Sequence, residues 1–161
     1  MQGFTLLEVM VVMILAGFVT LGLAGFYISS QGGWLDASSQ ALAQRDATSI
    51  IESIVAKGRG ATSVLTIPCS GEADSMVVFL KGFPIAVPYS SFWWSNSDSL
   101  MHEGDGTCAA GQGAMAASAV ERFSVTYDNT LKLFTIGLLQ VRSPRGQRIQ
   151  MESSFVLYNA Q

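Results

Sequence analysis

Charge is scarce in this chain. Of its 161 residues only 13% are Asp, Glu, Lys or Arg, against roughly 25% in an ordinary soluble domain, so part of the chain is built to avoid water. No Lys or Arg precedes Arg45. The positive-inside rule therefore has no side chain to count on the N-terminal flank, and the basic n-region of a cleaved secretory signal is missing. His102 is the one histidine, no residue spacing resembles a zinc motif, and neither a phosphate-cradling glycine loop nor a nucleophile triad occurs. No cofactor, metal or catalytic residue is expected. The net charge of -3 lacks the basic footprint of nucleic-acid binders, and no nucleic-acid partner is expected.

What is present begins with a long apolar run. Residues 9–28 are twenty positions without a charge. As a helix rising 1.5 Å per residue they span about 30 Å, the thickness of a bilayer core, and they read as a single membrane-spanning helix. One carboxylate, Glu8, stands at its mouth. A charge at mid-bilayer costs about 2.5–3.5 kcal/mol and less near an end, so Glu8 either has a cationic partner or lies solvated among headgroups, favoured by the helix dipole. Ala16, Thr20 and Ala24 recur every fourth residue, a ridge of small side chains that permits close helix contact.

The helical pattern continues past the apolar run. Trp34, Leu35, Leu42, Ile50, Ile51, Ile54 and Val55, with Ala41 and Ala47, are spaced for one amphipathic face, and Gly58 and Gly60 stand where a C-cap belongs. One helix from about Phe4 to Lys57 is predicted. Beyond Gly60 the period falls to two. Strands are predicted over 76–81, 85–89, 121–127, 131–141 and 149–157. A turn is expected at Asp128-Asn129-Thr130, and a type I turn at Ser143-Pro144-Arg145-Gly146. The segment 90–118, rich in Gly, Ser and Ala and containing Phe92-Trp93-Trp94, is predicted as a long loop. The fold class is α+β: a long N-terminal helix, spanning in its first half and amphipathic in its second, packed on a C-terminal antiparallel sheet of three or more strands.

The two cysteines, Cys69 and Cys108, follow the apolar helix. Behind a membrane or export segment an even count reads as a disulfide in an oxidising compartment, worth about 4 kcal/mol in the chain-entropy model. Two reduced buried thiols are the other reading. Asp98, Glu103 and Asp105 lack the regular spacing of a calcium loop and read as a solvated acidic segment. Arg142, Arg145 and Arg148 read as a solvated turn.

Gly3-Phe4-Thr5-Leu6-Leu7-Glu8-Val9, followed at once by an uncharged apolar helix, resembles the class III signal of type IV pilins and type II secretion pseudopilins. The resemblance implies cleavage by prepilin peptidase after Gly3 and N-methylation of Phe4. It also implies that Glu8 neutralises the N-terminal amine of a neighbouring subunit during assembly. The leader would be residues 1–3, the membrane and assembly helix 4–28, and the pilin-like globular domain 29–161, including the amphipathic helix to about 57. Implied partners are other pilin or pseudopilin subunits, the prepilin peptidase and the inner-membrane assembly platform. The implied location is a single pass of the inner membrane with a periplasmic domain, then the filament. Met1-Gln2 is short and neutral where such leaders commonly carry basic residues, for which a start further upstream is one explanation. The apolar helix also lacks the proline common in major pilins, and no cysteine pair lies near the C-terminus. These departures favour a minor component. The competing reading is a membrane-anchored envelope binding protein that is never processed.

Overall fold

The computed structural model describes residues 5–67, 76–82, 85–95, 97–105 and 113–158. Two compact units divide it, Met1–Ser38 and Ser39–Gln161. Helix α1, Leu6–Arg59, contributes to both.

In the first unit the apolar stretch of α1 is exposed. An 18-residue apolar window here has none of its residues buried, and a Cβ added at Gly17, Gly22, Gly25, Gly32 or Gly33 would meet nothing within 4 Å. Each such glycine costs a helix about 1 kcal/mol relative to Ala in water. In lipid the backbone has no other way to satisfy its polar groups.

In the second unit α1 buries Ser39, Ala43, Ala47, Ile50, Ile54 and Gly58. Steps of three and four make this one helical stripe, but it differs from the expected face. Trp34, Leu35 and Leu42 are 75%, 53% and 53% exposed, because the stripe traced back from Ile50 lands on small residues rather than large ones. Those small residues let the strands come close.

Seven strands follow: β1 Ser63–Ile67, β2 Met76–Lys81, β3 Val87–Trp94, β4 Met101–Gly104, β5 Ala119–Asp128, β6 Leu133–Arg142 and β7 Arg148–Val156. They form two antiparallel sheets, ordered β1-β2-β3-β4 and β5-β6-β7, where one sheet was expected. β2 is an unbroken apolar run because it is buried on both faces. Val77 and Phe79 join the main core, whereas Met76, Val78 and Leu80 pack with Trp93 in a separate cluster. The predicted loop 90–118 is corrected in two places. Phe92, Trp93 and Trp94 lie on β3, and β4 falls within the same segment. Buried Ser90 and Ser91 interrupt the apolar signal there, so the strand reads as a loop. The two predicted turns are present. Asp128 Oδ1 accepts from the amides of Thr130 and Leu131 at 2.8 and 3.1 Å. Gly146 N donates to Ser143 O at 2.9 Å, and Gly146 has the positive φ of 87° that glycine tolerates.

Four phenylalanines join helix and sheets. Phe79 lies 5.8, 5.5 and 6.5 Å from the ring centres of Phe92, Phe134 and Phe155, and Phe134 lies 5.1 Å from Phe155. The Phe155 ring rests on the backbone of Gly58. A Cβ at that position would stand 2.3 Å from Phe155 Cζ. Gly58 is therefore a packing glycine inside the helix, not its cap. The helix ends through Gly60 N donating to Lys57 O at 3.2 Å and Ala61 N donating to Gly58 O at 3.0 Å, while the Tyr89 hydroxyl also donates to Lys57 O. A helix whose second half packs on antiparallel strands is the expected α+β, pilin-like architecture.

Gly58→Ala should destabilise the full chain in detergent by about 1–3 kcal/mol through overpacking, although alanine is the better helix former by ~1 kcal/mol. Chemical denaturation reads this. In a Phe155→Leu background the penalty should shrink, and equal penalties in both backgrounds would refute the contact.

The phenols of Tyr89 and Tyr127 titrate above the ordinary tyrosine value, both chiefly through burial and secondarily through the charges of Glu103 and Asp128 respectively. A raised folded value means that the associated stability is complete below about pH 10 and is lost as pH rises through the folded value. Tyr89→Phe should cost about 1 kcal/mol at neutral pH and should lessen, without abolishing, the loss of stability in alkali. Melting curves from pH 8 upward test both effects.

Candidate functional site

The first turn of α1 is built by Thr5-Leu6-Leu7-Glu8. Thr5 precedes the first helical residue, its carbonyl accepts from Glu8 N at 3.0 Å and from Val9 N at 3.3 Å, and its Oγ1 accepts from Glu8 N at 3.4 Å. This is the N-cap position, with Glu8 third in the helix. Threonine followed three residues later by glutamate is the pattern of a capping box. Glu8 is thus the acid of the helix's first turn. A carboxylate there is favoured by the open N–H groups and the dipole, by about 0.3–1 kcal/mol at an exposed site. Thr5 is the residue that the functional reading of the sequence passed over, and its signal was the T-x-x-E spacing.

Gly3 and Phe4, the expected cleavage and methylation positions, lie outside the described residues, as do Cys69 and Cys108. Ala16, Thr20 and Ala24 lie along exposed α1. The Thr20 hydroxyl donates to Ala16 O one turn back, so its polarity is satisfied within the helix and the ridge presents small, largely apolar side chains.

The remaining polar groups form separate structural sets. His102 Nε2 lies 2.9 Å from Asp98 Oδ2, and its ring stacks on Trp93 at 5.5 Å. Burial alone would raise Asp98, but the Leu100 amide and the His102 ring outweigh it and hold this carboxyl below its ordinary value. Glu103 accepts from Ser90 at 3.2 Å and meets Lys57 Nζ at 3.6 Å. Glu121 meets Arg148 at 2.8 Å and Arg142 at 3.6 Å, and accepts from Gln140 at 2.9 Å. Two of the three arginines around Pro144 thus share one carboxylate. Among the described residues no group of three His, Cys, Asp or Glu could hold a metal ion.

Loss of the cap is measurable by amide exchange. Thr5→Ala should lower protection of the Glu8 and Val9 amides about fivefold in micelles, the equivalent of ~1 kcal/mol, and leave the amides of residues 40–55 unchanged. Unchanged first-turn protection would show that Thr5 does not cap.

Residues 1–24 match the family model of the prokaryotic N-terminal methylation motif. No curated protein and no solved structure matches the chain. A methylation motif that leads directly into an unburied apolar helix, capped by Thr5 and carrying Glu8 in its first turn, fits a prepilin-like precursor of a type IV pilin or pseudopilin.

Proposed function

We propose that the chain is a structural subunit of a type IV pilus or type II secretion pseudopilus, and a minor or initiating component of it. Prepilin peptidase cuts after Gly3, Phe4 is N-methylated, and residues 4–28 hold the subunit in the inner membrane with residues 29–161 on the periplasmic side. An assembly platform then passes the subunit into a filament. The observation that carries this reading is the methylation motif leading into α1, whose one acid within the apolar half is Glu8 at the third helical position.

Cleavage creates an amine on Phe4, next to the N-cap. In the membrane phase the pairing of such an amine with a carboxylate is screened less than an exposed ion pair, although desolvation offsets much of the attraction. Glu8 is the neutralising group for the Phe4 amine of the adjacent subunit. The ridge of Ala16, Thr20 and Ala24 supports close helix packing in the filament. Cys69 and Cys108 form a disulfide in the oxidising compartment.

Intact mass from cells with and without prepilin peptidase tests the reading. The product should begin at methylated Phe4 only when the peptidase is present, and an N-terminus at Met1 in both strains would leave the unprocessed envelope binding protein as the answer. Glu8→Val should still insert and be cleaved, but its recovery in sheared filaments should fall severalfold. Undiminished recovery would remove the charge pair from the mechanism.

A further inference from the structure

Past its apolar run the first unit carries two large amphipathic aromatics, Tyr27 and Trp34. They are seven residues apart, two turns along α1 and on the same face, and are 63% and 75% exposed. Between them Gln31 Nε2 donates to the Tyr27 hydroxyl at 2.7 Å, and with Ser30 and Leu35 these residues line a shallow groove on the helix. A Cβ at Gly32 or Gly33 would meet nothing within 4 Å, and the Trp34 side chain beside them is exposed. The large residues of this face stand outside the buried stripe of α1.

Position along the axis identifies the occupant. Tyr27 lies 19 residues beyond Glu8 and Trp34 lies 26 beyond it, about 29 and 39 Å at 1.5 Å per residue. A bilayer has about 30 Å of hydrocarbon and 40–45 Å including both headgroup layers. With Glu8 in one headgroup layer, the uncharged residues fill the core, Tyr27 reaches its far edge and Trp34 enters the opposite headgroup layer. Trp and Tyr favour that depth, with the ring among upper methylenes and the N–H or O–H toward carbonyls and water. After Glu8 no charged residue occurs before Asp36, so no lysine or arginine in this stretch selects anionic lipid.

We propose that Tyr27, Gln31 and Trp34 form an interfacial anchor that binds the phospholipid headgroup layer on the side opposite Glu8, fixing the depth and rotation of α1 before assembly. This rests on the reading of residues 9–28 as a membrane span. It gives the stored subunit a second anchoring point, one that must leave lipid when the subunit moves into a filament.

The test uses the full chain in phosphatidylcholine vesicles at low protein-to-lipid ratio, with bromine placed either high or low on the acyl chains. The Trp34 signal is the difference between the parent and Trp34→Phe, since Trp93 and Trp94 remain in both. It should be quenched strongly by shallow bromine and weakly by deep bromine, and equally when the vesicles contain phosphatidylglycerol. Flotation and resistance to alkaline carbonate report the span independently. A chain that floats and resists extraction while Trp34 emits as in water, unquenched at either depth, overturns the anchor and leaves the span standing. Deep bromine that quenches Trp34 as strongly as shallow bromine also overturns it, because the ring then does not sit at headgroup depth. A chain that does not float removes the span and the anchor together.

Discussion

The Ser39–Gln161 unit depends on one close approach, the ring of Phe155 lying on the bare backbone of Gly58. Phe155 touches Phe79 and Phe134, and Phe79 touches Phe92, so this single contact brings the helix, the β1-β4 sheet and the β5-β7 sheet to a common point. Ala43 and Ala47 serve the same end further up the helix, since both are wholly buried and neither holds the strands away. Close packing of this sort tolerates little added volume. The amide of Ser118 donating to Asp46 at 3.0 Å ties α1 to the entrance of β5 and fixes the rotation of the stripe.

The other half of α1 is under a different constraint. Its side chains are apolar all round and exposed, and in water each would forfeit about 25 cal/mol for every Å² left uncovered. Lipid removes that penalty and forces every backbone group to be satisfied within the helix. Thr20 satisfies its hydroxyl inside the helix by donating to Ala16 O, and the Glu8 amide is satisfied by the Thr5 cap. Glu8 thereby has a local structural role that precedes any partner: it is the acid of the first turn.

Much of this was legible in the sequence, for identifiable reasons. A helix long and apolar enough to span a bilayer follows from length and the absence of charge, and β2 from its apolar run, whose predicted limits match Met76–Lys81. The turns at Asp128 and Pro144 follow from side chains that close turns by themselves. The illegible parts are those where small residues are buried. Ser39, Ala43 and Ala47 carry the packed face while Trp34, Leu35 and Leu42 do not, so size misdirected the choice of face. Gly58 looked like a terminator because glycine ends helices more often than it receives a ring. β3 was hidden by buried Ser90 and Ser91, and β1 was too short to announce itself. The N-terminal motif was plain, whereas the T-x-x-E cap inside it was masked by the stronger pattern around it.

Gly58 and Phe155 stand 97 residues apart, and Phe155 belongs to β7, the final strand of its sheet. Contacts between such distant residues carry a large loop-closure cost before they return any stability, and they slow folding. Gly58 and Phe155 therefore meet only after the segment between them has been made. Until then the main core lacks Phe155 and the strand that carries it. The position of one phenylalanine thus makes the closing of this core a late event in the order of the chain.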